Sequence, residues 1–214
     1  TKTSYTATVT ATDGTNSTTQ SITVSVTNLN DNSPVFTSSA SLSANENQTT
    51  IGTVAASDAD GNTLSYSISG TDASSMGINS SSGALTFNSA PDYETKSSYS
   101  VTATASDGTN STTQSITISI NDLNESPAFS SSASFSAAEN QTSIGSVSVS
   151  DPESGSITYA LSGADASSMA ISSSGVLAFA SAPNYEVDNS YSATVTASDG
   201  TNSVAQNITV SVTD

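Results

Sequence analysis

The chain contains no cysteine, so neither a disulfide framework nor a thiolate metal site is open to it. Histidine is absent as well, which removes imidazole acid–base chemistry and the usual nitrogen ligand of zinc. There is no tryptophan, no run near the length of a membrane-spanning helix and no signal-peptide pattern at Thr1. The chain therefore reads as a soluble stretch without membrane insertion, any export signal lying outside it. Cationic side chains are nearly missing: Lys2 and Lys96 stand against 19 acidic residues, giving a net charge of −17. A phosphate backbone or an anionic bilayer would be repelled, so nucleic acid is not an expected partner. Hydrophobic residues make up only 34% of the 214, and Ser, Thr, Ala and Asn fill most of the rest. Such a chain folds only if its few apolar residues alternate.

They do alternate. Tyr99, Val101, Ala103 and Ala105 are interleaved with Ser and Thr, and Ile116, Ile118 and Ile120 continue the pattern after the turn Asp107-Gly108-Thr109-Asn110. Phe36 to Ala44, Ile51 to Ser57, Leu64 to Ile68 and Leu85 to Phe87 supply further strands, and Met76 and Met169 read as core residues of short ones. No segment carries the i, i+3, i+4 spacing of a helix.

The pairs Asp13-Gly14, Asp107-Gly108 and Asp199-Gly200 lie 94 and 92 residues apart, inside near-identical segments that start at Tyr5, Tyr99 and Tyr191. A period of about 93 residues is domain-sized, larger than a solenoid repeat. Each period holds about seven strands, so the expected fold is all-β: tandem seven-stranded Greek-key sandwiches of immunoglobulin-like type, joined end to end. Residues 1–30 read as the C-terminal hairpin of a truncated repeat, 31–123 as one complete repeat and 124–214 as a second. The hairpin's apolar face, Tyr5, Val9, Ile22, Val24 and Val26, needs cover from the rest of its repeat or from a neighbouring chain.

The acidic residues keep the same period. Glu46 is answered by Glu139, Asp58 and Asp60 by Asp151 and Glu153, Glu94 by Glu186, and Asp13 by Asp107 and Asp199. Linker acids at Asp31, Asp122, Glu125 and Asp214 also fall in phase, and only Asp72, Asp165 and Asp188 stand outside the pattern. Two carboxylates about 5 Å apart at an effective dielectric of 20 repel by roughly 3 kcal/mol. Two lysines cannot neutralise such clusters. Calcium suits the donors present, since it takes six to eight hard oxygens in flexible geometry, whereas magnesium holds its waters and softer metals favour the missing His and Cys.

Taken in order, Glu46-Asn47, Asp58-Ala59-Asp60, Asp92-Tyr93-Glu94, Ala105-Ser106-Asp107-Gly108 and Asn30-Asp31-Asn32-Ser33-Pro34-Val35-Phe36 make the chain similar to the cadherin repeat, in the bacterial cadherin-like form found in large extracellular adhesins. That resemblance covers the whole chain. It implies calcium between successive repeats, held at the earlier junction by Asn30, Asp31, Asn32, Asp58, Asp60 and Asp107. At the later junction it implies Glu46, Asp92 and Glu94 from one repeat, Asp122, Asn124 and Glu125 from the linker, and Asp151, Glu153 and Asp199 from the next. Asn28 stands where the first linker Asp is expected, and the later linker is one residue shorter, so the two junctions are not expected to bind alike.

Catalysis is not expected. Serine is plentiful but has no histidine, neither lysine stands in a Ser-Lys motif, and the paired acids recur in every repeat rather than once beside a cleft. Two non-enzymatic readings follow from the resemblance: a calcium-stiffened stalk or surface filament of a bacterial cell, acting in adhesion through homophilic contacts with itself or through glycans, or a polysaccharide-binding or spacer module of a secreted protein. Most of the Tyr and Phe residues sit in core phase, which favours the stalk over a sugar platform. Both readings place the chain outside the cell, secreted or on the surface.

Overall fold

The computed structural model describes residues 2–214. They form two compact units, one ending at Asn121 and the other running Asp122–Asp214. Both are built from strands, with no α-helix among the described residues.

In the first unit, β1 (Ser4–Thr12) and β2 (Ser17–Ser25) form a two-stranded antiparallel sheet of their own, and all their side chains are exposed. The sandwich follows: β3 (Val35–Phe36), β4 (Ser41–Asn45), β5 (Thr50–Thr53), β6 (Ala56–Ser57), β7 (Ser65–Ser69), β8 (Met76–Ile78), β9 (Ala84–Phe87), β10 (Ser98–Ser106) and β11 (Ser111–Asn121). One sheet has the order β4-β11-β10-β7, the other β5-β9-β8, and β3 pairs with β6. The expected first strand, Phe36 to Ala44, is therefore two pieces. Between them the chain changes partners: Thr37 and Ser38 N–H groups both donate to the Ala55 carbonyl, at 2.8 and 3.2 Å, before β4 joins β11 in parallel with Leu42 opposite Ile118. Seven strands, with the first and second each broken in this way, account for the nine segments.

Alternation puts Val101, Ala103, Ile116, Ile118 and Ile120 inward against Val54, Met76, Leu85 and Phe87 of the other strands. Each fully buried Ile, Leu or Val contributes about 1.5–3 kcal/mol, which is how a chain so poor in hydrophobic residues holds a core. Gly83 is needed at the sheet edge: its φ is +72°, and a Cβ there would lie 2.0 Å from the Val54 carbonyl oxygen.

The second unit repeats the plan: β12 (Ala128–Phe129), β13 (Ser134–Ala138), β14 (Ser143–Ser146), β15 (Val149–Ser150), β16 (Thr158–Ser162), β17 (Met169–Ile171), β18 (Val176–Phe179), β19 (Ser190–Ser198) and β20 (Ser203–Thr213). Its sheets run β13-β20-β19-β16 and β14-β18-β17, with β12 paired to β15. Val195, Ile208, Val210 and Val212 face Val147, Met169, Leu177 and Phe179 in its core. Both methionines are buried core residues on short strands, as their phase implies.

Candidate metal centre

In each unit one end of the long hairpin carries an Asp-Gly turn. The Asp107 Oδ1 accepts the amides of Thr109 and Asn110 at 2.7 and 2.6 Å, and the Asp199 Oδ1 accepts those of Thr201 and Asn202, both at 2.6 Å. One oxygen of each carboxylate is thus fixed by the backbone, which aims the second at the linker. Burial pushes the Asp107 carboxyl up, but the amides of Asn110 and Thr109 with the Asn110 and Asn30 side chains outweigh it and leave it below the ordinary range. For Asp199 the Asn124 side chain, then the Asn202 amide, hold the carboxyl down.

Around Asp107 the first unit gathers its linker and the loop after β6. The Asp60 Oδ2 accepts the amides of Asp31 and Asn32 at 3.1 and 2.9 Å, and Asp60 Oδ1 accepts the Asn32 Nδ2 at 3.0 Å. These bonds, the Asn32 amide first, depress the Asp60 carboxyl. Asn110 Nδ2 donates to the Asn32 carbonyl at 3.2 Å. Asp58 Oδ1 closes its own loop by accepting the amides of Asp60 and Asn62 at 2.9 and 3.3 Å. That leaves Asp58 Oδ2 and Asn30 Oδ1 buried with no hydrogen-bond partner.

The second unit builds the same arrangement with other residues. Asn124 Nδ2 donates to Asp199 Oδ2 at 2.9 Å, Asn202 Nδ2 donates to the carbonyls of Asn124 and Glu125, both at 3.1 Å, and the Glu125 amide donates to Glu153 Oε1 at 3.1 Å. Carboxylate oxygens of Asp122 and Glu153 lie within 4.8 Å of each other. Again the orphans are carboxylate oxygens: Asp151 Oδ2 and Glu153 Oε2 are buried without a partner. Glu153, one methylene longer than Asp60, takes one linker amide where Asp60 takes two.

Glu46 and Glu94 lie at the far end of the first unit's hairpin, where the Glu46 amide donates to the Asn121 carbonyl at 3.2 Å. Glu46 is only 1% exposed, its Oε2 accepts the Tyr93 amide at 2.7 Å, and its carboxylate lies within 4.8 Å of that of Glu94. Asp92, assigned with them by sequence, caps a turn instead by accepting the Thr95 amide at 2.9 Å. At the same end of the second unit, Glu139, Glu186 and Asp214 bring carboxylate oxygens within 4.8 Å of one another. Sequence reasoning noted these three in phase but left them out of the ligand set; their phase with Glu46, Glu94 and Asp122 was the signal. It also read Asn28 only as a lost acid, whereas its Nδ2 donates to the Asp60 carbonyl at 2.9 Å.

The donors fit calcium. Every candidate is a hard oxygen, and the orphaned oxygens are buried acceptors that neither Lys2 nor Lys96 serves; an oxygen-binding cation of flexible geometry answers both conditions.

Residues 38–121 match the family model of the cadherin domain. Among solved structures, mouse cadherin-23 EC22-24 is 25% identical over 99% of this chain and 74% of its own, with a TM-score of 0.60. Human protocadherin-24 EC1-2 is 22% identical over 85% of this chain and 98% of its own, with a TM-score of 0.66. Drosophila N-cadherin EC1-4 is 23% identical, covering 85% of this chain and 50% of its own at a TM-score of 0.63. No curated protein matches the chain.

Proposed function

We propose that this chain is a calcium-rigidified extracellular segment that serves as a stalk or spacer in bacterial cell adhesion or in a surface filament. The match of residues 38–121 to the cadherin domain supports an extracellular, adhesion-type module. What carries the calcium is the set of four buried, partnerless oxygens on Asn30, Asp58, Asp151 and Glu153. They fall at matching places in the two units, and a buried acceptor with no donor is destabilising by about 1–3 kcal/mol, more when charged.

Asn30, Asp31, Asn32, Asp58, Asp60 and Asp107 would hold an ion in the first unit, and Asp122, Asn124, Glu125, Asp151, Glu153 and Asp199 in the second. Glu46, Asp92 and Glu94, with the phase-matched Glu139, Glu186 and Asp214, supply ligands at the other hairpin end. When bound, calcium neutralises the carboxylates and ties the linker to the loops beside it. The protein's own part is to hold the linker near its bound form in advance, through the amides of Asp31 and Asn32 on Asp60 and that of Glu125 on Glu153.

Metal that binds the ordered linker better than the loose one shifts the population toward an extended chain. Extracellular modules bind at roughly 10⁻⁴–10⁻³ M, so stiffening follows external rather than cytosolic calcium. Small-angle scattering in calcium and then in chelator tests the reading: the maximum dimension should fall on chelation, and an unchanged value overturns it.

A further inference from the structure

Three acidic residues stand outside the linker pattern, and two surround one aromatic ring. In the first unit Asp72 precedes a short 3₁₀ turn, Ala73–Ser75, with φ −103° and ψ 8°. Its Oδ2 accepts the Ser100 amide at 2.8 Å and its Oδ1 binds the Lys96 ammonium at 2.5 Å. That ammonium lies 4.6 Å from the centroid of the Tyr99 ring, which packs on Phe87 at 4.9 Å. The cation therefore has two complementary neighbours, a carboxylate and a π face. In β1 the same spacing recurs, with the Lys2 ammonium 4.7 Å from the Tyr5 ring centroid.

The second unit preserves the cradle and replaces its occupant. Asp165 precedes the 3₁₀ turn Ala166–Ser168 with nearly the same backbone, φ −105° and ψ 14°, and its Oδ2 accepts the Ser192 amide at 2.8 Å. Tyr191 packs on Phe179 at the same 4.9 Å. But the position of Lys96, three residues before the tyrosine, is Asp188. Burial first, then the charges of Asp188 and Asp165, raise the Tyr191 phenol above its ordinary value, so both carboxylates act on the ring. Beside Tyr191 opens a recess of about 410 Å³ whose wall includes Phe179, Ala182, Pro183, Asn184 and Val187. No residue of Asp122–Asp214 is a Lys, Arg or His, so this unit has no side chain of its own to neutralise the pair.

We propose that the recess formed by Asp165, Asp188 and Tyr191 binds a primary alkylammonium, the chemistry of a lysine side chain, in the place that Lys96 fills in the first unit. The apolar wall suits a methylene stem, and the ring face favours an organic cation over a strongly hydrated metal ion. Both a partner's lysine and a free diamine have this chemistry.

The test is titration of the whole chain with n-butylammonium in chelator, which keeps the outcome separate from any calcium binding. Amide shifts of Ser192 and Tyr191 are followed by NMR against sodium chloride at matched ionic strength. Saturable shifts there, with Ser100 and Tyr99 unmoved because Lys96 already fills their site, are expected. D165N should weaken binding about fivefold, and D188K should abolish it by supplying the ammonium internally. Tighter binding of an acetyl-lysine amide than of cadaverine identifies a protein side chain as the source, and the reverse order a free diamine. Equal shifts in sodium chloride, stronger shifts with calcium alone, or undiminished binding by D188K overturn the proposal.

Discussion

The hairpin of residues 4–25 and its copies at 98–121 and 190–213 have nearly the same sequence and the same register, but different surroundings. Tyr5 lies opposite Val24, Tyr99 opposite Ile118 and Tyr191 opposite Val210. Each turn is closed by an Asp oxygen that accepts two amides, Asp13 from Thr15 and Asn16 like its counterparts. Yet Ile22 is 44% exposed, while Ile116 and Ile208, at the same phase, are 0% and 1%. Strand pairing is thus a local property of this sequence, carried by alternation and the Asp-Gly turn. Burial is not local: it comes from strands distant in the chain, such as β4 and β9 in the first unit.

The largest effect that separates the copies is a core truncation. Ile116→Ala and Ile208→Ala should each cost about 2–5 kcal/mol of their own unit's stability, because each leaves a cavity in a packed core. Ile22→Ala should change stability by no more than about 0.5 kcal/mol, as surface substitutions do. Urea unfolding followed by circular dichroism measures all three. A costly Ile22→Ala would show that the open face is covered in solution.

Calcium should separate them more gently. At one to ten times its dissociation constant an ion adds about 0.4–1.4 kcal/mol. Asp107→Asn and Asp199→Asn should reduce the rise in Tm that calcium produces, whereas Asp13→Asn should leave that rise unchanged. Scanning calorimetry with calcium and with chelator gives the comparison; an equal loss from Asp13→Asn would remove Asp107 and Asp199 from the ligand set.

These contrasts also explain how much could be read in advance. Period-two alternation was enough for the strands, the buried faces and the core role of Met76 and Met169, because all follow from residues close in sequence. The partner change between β3 and β4 was not visible, since it depends on Thr37 and Ser38 meeting the carbonyl of Ala55. Repeat phase picked out the acids that the structure gathers around the linkers. It could not show that the Asp60 carboxylate is already occupied by amides of Asp31 and Asn32, or that Asn28 serves as a donor. Nor could it show that Asp92 would cap a turn, a role that a carboxylate takes as readily as metal binding.

The smallest difference concerns the one ion pair among the described residues, Lys96 with Asp72. The Lys96 ammonium, then the Ser100 amide, hold the Asp72 carboxyl below its ordinary value. A depressed carboxyl contributes stability that is present above the unfolded value, near 3.8, and lost as pH falls through the lower folded one. The Lys96 side chain is 42% exposed, so solvent screening limits the pair to less than about 1 kcal/mol. Lys96→Met should therefore lower the first unit's Tm slightly at neutral pH, and the difference from the parent chain should shrink as the solution is acidified below pH 3.8. The second unit, with Asp188 in the lysine's place, should melt identically in both proteins. A difference that stays constant across this range would mean that Lys96 acts by packing its methylenes on Tyr99, not by its charge on Asp72.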